Sequence, residues 1–166
     1  MSIPKLIAAL AFVSVCAAPL RAQDSGIPVG SKAPAFAIEN LDGKKVDIAP
    51  YLGKSPMLLE FWATWCENCH ALEPSLLSMQ KKYGSRVRFI GIAVSFNESP
   101  ARVKAYAAKH GYAHEVLYDK AGDASAAYEV PATSYVVVID GAGKVVYTGL
   151  GGDQNLEAAI AKAGVK

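Results

Sequence analysis

Cysteine is scarce in this chain: 166 residues hold only three, Cys16, Cys66 and Cys69. A structural disulfide framework needs half-cystines that staple distant segments, so that class is excluded. An excess of one charge is also missing. Lysine and arginine number 17 against 15 aspartates and glutamates, and without Lys5 and Arg21 the balance is 15 to 15. A nucleic-acid or anionic-membrane partner would want a basic face, and this composition does not supply one. No internal repeat is evident, and the composition is not low-complexity. What remains is an apolar-rich chain with a length suited to one domain and a full core.

The first residues read as a targeting segment. Lys5 precedes an apolar run from Leu6 to Ala18, followed by Pro19-Leu20-Arg21-Ala22. This is the pattern of a secretory signal peptide, 1–22, cleaved after Ala22. An uncleaved anchor and a lipoprotein signal ending at Cys16 are the alternatives, although Val15 is a poor residue just before a lipidated cysteine. Residues 23–30 are expected to form a flexible leader, and 31–166 the folded domain. If the signal is removed, Cys66 and Cys69 are the only cysteines left. A pair three residues apart closes almost no loop, so its value is redox chemistry rather than architecture.

That pair ends the run Met57 to Ala63, which reads as a buried strand. Beyond it, Cys69, Leu72, Leu76, Met79 and Tyr83 recur at helical spacing. The cysteines therefore stand where a strand ends and a helix begins. Unpaired N–H groups and the helix dipole stabilise an anion there and favour a thiolate. Cys66, at the open end, is the expected nucleophile, and Cys69, one turn inward, the resolving thiol. Glu60 lies within the strand among apolar neighbours. Burial raises a carboxyl pKa, and such a group can exchange a proton with Cys69. Glu73, four residues after Cys69, is a second acid on roughly the same helix face, with a solvated surface acid as its simpler reading. Glu67, beside Cys66, opposes thiolate formation.

Around this centre the chain alternates. Ala35–Ile38 and Lys45–Ile48 flank Asp42-Gly43, a hairpin signal. Arg88–Val94 reads as a parallel strand covered on both faces. Ser99-Pro100 opens a helix that Gly111 stops, with Val103, Tyr106, Ala107 and His110 on one face. Val116–Tyr118 is a short strand and Gly122–Glu129 holds a small helix. Val136–Ile139 and Lys144–Leu150 pair across Asp140-Gly141-Ala142-Gly143, and Leu156–Ala163 closes the chain.

Glu60-Phe61-Trp62-Ala63-Thr64-Trp65-Cys66-Glu67-Asn68-Cys69 resembles the active-site stretch of the thioredoxin superfamily, within it the exported TlpA-like disulfide reductases that include the cytochrome c maturation thioredoxins. The Gly30-Ser31-Lys32-Ala33-Pro34-Ala35-Phe36 opening and Pro74, five residues after Cys69, resemble that group too. The resemblance implies an α/β, thioredoxin-like fold: a central mixed sheet flanked by helices, with an N-terminal β-hairpin and one inserted strand–helix unit. It implies that Pro131 is a cis-proline opposite the cysteines, that the Val130 backbone pairs with a substrate strand, and that Val130, Ala132 and Trp65 bound the substrate site. Many such reductases carry an acid three residues after the second cysteine. Here that residue is Leu72, so the proton could pass through Glu60, Glu73 or both. The implied protein is a periplasmic monomer without a cofactor. It reduces disulfides in cysteine-containing periplasmic clients, apocytochrome c among them, and a membrane thiol–disulfide carrier supplies its electrons.

Other readings compete. Cys66-Glu67-Asn68-Cys69-His70 satisfies the C-x-x-C-H haem-attachment pattern of an electron-transfer protein, but it terminates a hydrophobic strand, and only Met57 and Met79 are candidate distal ligands. The opening also resembles peroxiredoxins. Their peroxidase site needs P-x-x-x-T-x-x-C, and Leu59 and Trp62 stand where the proline would. His110 and His114 have zinc-like spacing but lie some 40 residues beyond Cys69, against roughly 12 to 15 in a compact finger, so no metal is expected.

Overall fold

The structure, a computed structural model, describes residues 26–165. The expected signal segment and Cys16 lie outside the described residues. Seven strands form one mixed sheet in the order β2-β1-β5-β4-β3-β6-β7. β1 (Ala37–Asn40) and β2 (Lys45–Asp47) make the N-terminal hairpin. The Asn40 side chain shapes its turn by accepting from the Asp42 and Lys44 N–H groups. β3 (Met57–Trp62), β4 (Arg88–Val94) and β5 (Glu115–Asp119) are parallel neighbours. β6 (Tyr135–Ile139) and β7 (Val145–Leu150) run antiparallel beyond β3. The helices are α1 (Glu67–Tyr83), α2 (Pro100–His110), α3 (Asp123–Ala127) and α4 (Leu156–Ala161). The expected strand–helix insertion is α2–β5–α3 between β4 and β6.

β3 is buried at every position. Its alternate residues serve different cores. Met57, Leu59 and Phe61 pack with Ile90, Ile92 and Tyr128 on one face. Leu58 meets Leu72 and Leu76 of α1 on the other, and Trp62 packs there with both cysteines. A strand covered on both faces reads as a continuous apolar run, and Glu60 is the one exception to it. α1 buries Cys69, Leu72, Leu76 and Tyr83, the expected face, and contains Pro74. α2 begins as its sequence signals: the Ser99 hydroxyl accepts from Arg102 N–H, Pro100 follows, and Gly111 ends the helix at φ 73°.

Two expectations are corrected. The leader does not run to Gly30. Ile27 is 6% exposed and its N–H donates to Tyr128 O, while Gly30 N–H donates to Val145 O. An apolar side chain beside a strand with free carbonyls gains both burial and hydrogen bonds, so 27–30 joins the fold. The second concerns Pro131. No cis peptide bond occurs among the described residues, so Val130–Pro131 is trans. The loop instead turns through Glu129 and Ser134, which both adopt the left-handed region at φ 49° and 63°.

Candidate active site

The chain leaves β3 at Trp62 and reaches α1 through Ala63-Thr64-Trp65-Cys66. Cys66 is the N-cap residue of α1. Its Sγ accepts the Cys69 N–H at 3.1 Å and is bonded to Cys69 Sγ, with Cα atoms 5.2 Å apart. That separation suits a disulfide, and the capping bond places sulfur against an orphan donor of the first helical turn. Cys66 is less open than expected. It is 5% exposed and Cys69 is 2%. The sulfur folds back onto its own helix start, beneath the turn.

Two clips hold this turn against the loop after β4. Thr64 donates its N–H and its hydroxyl to the Glu98 carboxylate, at 2.8 and 2.6 Å. Trp65 Nε1 donates to Phe96 O at 2.9 Å, and its ring meets Phe96 edge-on. Trp65 and Phe96 are both large exposed apolar side chains. The sequence singled out Trp65 but missed Phe96 and Glu98, because they enter from a different strand–helix connection. A third contact comes from the loop after β7. A Cβ on Gly152 would stand 2.7 Å from Ala71 Cβ and 2.9 Å from Asn68 O, so only glycine lets this loop rest on the start of α1.

Glu60 is 2% exposed and its Oε2 has no hydrogen-bond partner. Burial, reinforced by the neighbouring Glu73 charge, pushes its carboxyl up to about 8. It is protonated at neutral pH. Glu73 is no solvated surface acid. Its carboxylate accepts from Tyr106 Oη at 2.9 Å and Tyr112 Oη at 3.0 Å, and pairs with His110 Nδ1 at 2.8 Å. Burial acts to raise its pKa. The three hydrogen bonds and the His110 charge outweigh that and hold Glu73 below the usual carboxylate range. The two acids thus play opposite electrostatic parts, one neutral and one ionised. Tyr106 and Tyr112 also pack at a tilt against the Trp62 ring, with centroids 5.5 and 5.2 Å away. The sequence offered His110 as an inward helix residue. It placed Tyr106 on that same face, reading only as core, and gave no sign of Tyr112.

Residues 130–133 lie at the same end of the sheet as Cys66. Phe61 pairs with Tyr135, and Ser134 N–H donates to Phe61 O, so the residues before Ser134 run past the end of β3. Pro131 and Ala132 are exposed there. Val130 N–H is already committed to Ser125 O. His70 points back to the turn, its Nε2 2.9 Å from Thr64 O and its ring stacked on Tyr106. His110 and His114 do not converge on the cysteines: His110 holds Glu73, and His114 rests over Gly91 of β4.

The Redoxin family profile matches residues 28–164. The chain belongs to the Redoxin family. Within the thioredoxin superfamily it is of the TlpA/ResA kind. The thiol-disulfide oxidoreductase ResA of Bacillus thuringiensis subsp. konkukian is 30% identical over 124 residues, covering 75% of this chain and 70% of that one. Among solved structures, a thioredoxin-family thiol:disulfide interchange protein from Chlorobium tepidum matches with TM-score 0.68 and 27% identity, covering 82% and 96% of the two chains. A secreted disulfide oxidoreductase of Mycobacterium tuberculosis, described as homologous to DsbE, matches with TM-score 0.67 and 26% identity, covering 78% and 96%. With its own cysteine pair at a helix start, this Redoxin is a thiol–disulfide oxidoreductase of the ResA/DsbE type.

Proposed function

We propose that this Redoxin is an exported reductant of disulfides in cysteine-containing client proteins, with Cys66 as nucleophile and Cys69 as resolving thiol. The observation that carries the reading is the pairing of a helix-capping Cys66–Cys69 disulfide with a buried, protonated Glu60 on the preceding strand. In the client reaction, the Cys66 thiolate attacks a client disulfide and forms a mixed disulfide. Glu60 first gives up its own proton; its carboxylate then takes the Cys69 proton as Cys69 attacks Cys66 Sγ, which closes the internal disulfide and releases the client thiolate. Recharging runs the other way. A donor thiolate attacks Cys66, Cys69 leaves as a thiolate, and protonated Glu60 supplies its proton; the donor's second thiol then displaces Cys66 and closes the donor disulfide. Glu73 stays ionised and keeps the Glu60 carboxyl high, so it tunes rather than carries the proton.

The client strand lies along 130–132, through the Val130 carbonyl and the Ala132 backbone beside Pro131, and its flanking residues meet Trp65. Export is supported by the N-terminal signal pattern and by the likeness to a secreted oxidoreductase. An exported thiol must be recharged in an oxidising compartment, so a membrane thiol–disulfide carrier is the proposed donor and apocytochrome c one candidate client.

Two measurements test this. Cys69→Ser accumulates a mixed disulfide with clients in periplasmic extracts while Cys66→Ser does not; no adduct from Cys69→Ser would overturn the roles. The midpoint potential of the couple lies near roughly −270 mV for a reductant, whereas roughly −120 mV would make the protein a disulfide donor instead.

A further inference from the structure

Three buried polar atoms without a hydrogen-bond partner lie on one side of the sheet: Glu60 Oε2, Trp62 Nε1 and His114 Nδ1. Glu60 and Trp62 are two apart on β3 and face the same side of the sheet. Gly91 is the register partner of Glu60 on β4, a parallel neighbour on that face. Having no side chain, it leaves its place to two rings. A Cβ there would lie 3.0 Å from Trp62 Nε1 and 3.3 Å from His114 Nε2. The His114 imidazole therefore takes the side-chain place of the β4 residue that pairs with Glu60. Beyond it, His114 joins Gln80, Arg88 and Glu115 in lining a solvent-open pocket of about 210 Å³. His114 Nε2 thus faces the β4 position beside Glu60, while another part of the residue lines the open pocket.

The other groups around His114 do not occupy it. Arg88 is paired with Glu115 at 3.0 Å, and the Tyr112 hydroxyl is given to Glu73, although its ring packs 4.9 Å from His114. Burial holds His114 down to about 4, so it is neutral in the resting protein and free to accept or release a proton transiently.

We propose that His114 is the solvent-side proton relay of Glu60. This rests on the reading of Glu60 as the proton partner of Cys69. When a donor thiolate bonds to Cys66 Sγ, the Cys66–Cys69 bond breaks, the donor sulfur is oxidised and Cys69 sulfur is reduced. Cys69 takes the Glu60 proton. The carboxylate left behind is buried and is reprotonated through His114, by way of a bridging water held by the unpartnered atoms, with a solvent proton entering at the pocket. When the dithiol closes again, the proton leaves by the same path. His114 touches neither sulfur, so its part is positioning and transfer.

The test uses the oxidised full-length chain reduced by dithiothreitol, with the dithiol trapped by alkylation at millisecond intervals. At pH 7, His114→Ala and His114→Gln are expected to slow reduction about tenfold without changing the midpoint potential, in line with loss of a proton-transfer group. Added imidazole, which fits the pocket, is expected to restore the His114→Ala rate. Wild-type rates in both variants overturn the relay, as does a slow His114→Ala that imidazole does not rescue. Glu60→Gln separates the two readings. If it is slow and His114 variants are not, Glu60 stands and the relay falls; if Glu60→Gln is itself unaffected, both fall.

Discussion

Glu60 and Asp119 are both buried residues, and their carboxyl groups are treated in opposite ways. Asp119 accepts from Ala124 N–H, Ser125 N–H and the Ser125 hydroxyl, and so caps α3. Glu60 has an unpartnered oxygen within the central strand. A buried polar group without a partner costs roughly 1–3 kcal/mol, which a purely structural position would have no reason to keep. Glu60→Gln should slow Cys69 attack on the mixed disulfide by on the order of 10²-fold while changing the first Cys66 attack little, as separated by rapid-quench kinetics. Equal slowing of both steps would remove Glu60 from the proton path. Glu73→Gln removes the charge that helps keep Glu60 protonated. It should therefore lower the Glu60 pKa from about 8, read from the titration of its carboxyl infrared band. No downward movement would show that burial alone sets it.

At the scale of elements, the site is a meeting of three connections. The turn from β3 into α1 carries the cysteines, the loop after β4 clips it through Glu98, and the loop after β7 seats on it at Gly152. The last contact is the tightest, since a methyl on Gly152 would collide with Ala71 and Asn68. Gly152→Ala should destabilise the protein by about 1–3 kcal/mol through overpacking. The loss should be larger in the disulfide form, where the start of α1 is held rigid, than in the dithiol. Comparing urea unfolding of the two redox forms checks this; equal losses would show that the contact is not coupled to the cysteines.

Across the whole molecule, buried titrating groups make stability depend on pH, and their signs differ. The Glu60 pKa is raised from 4.5 to about 8, so the native state holds a proton that the unfolded chain has lost. Its contribution is present below about 4.5 and disappears as pH rises to 8. His114 is lowered from 6.5 to about 4, so its contribution rises with pH across that window. The two oppose each other in the acid range, and of this pair only Glu60 acts between pH 6.5 and 8. Relative to Glu60→Gln, the wild-type chain should lose up to about 2 kcal/mol of unfolding free energy over that interval, at about 1.4 kcal/mol per pH unit for one proton. Parallel curves for the two proteins would mean that Glu60 ionises normally in the native state.

Much of this was readable from residue order alone. The strand Met57–Trp62, the redox pair, the helix-capping position of Cys66 and the buried acid Glu60 follow from a local apolar run, a three-residue spacing and a helical period, because each is set by neighbours in sequence. The hairpin at Asp42-Gly43 and the α2 start at Ser99-Pro100 were legible for the same reason. What depended on distant segments was not. Glu73 became an ionised residue only because Tyr106, His110 and Tyr112, some 33 to 39 positions later, fold over it. His114 became a neighbour of Glu60 only because β4 lies beside β3 and carries Gly91 at the matching register. Ile27 left the leader because β6 and β7 offered it a core. Local sequence determined where the chemistry sits; the packing of elements far apart in the chain decided which groups are charged there and by which path a proton can reach them.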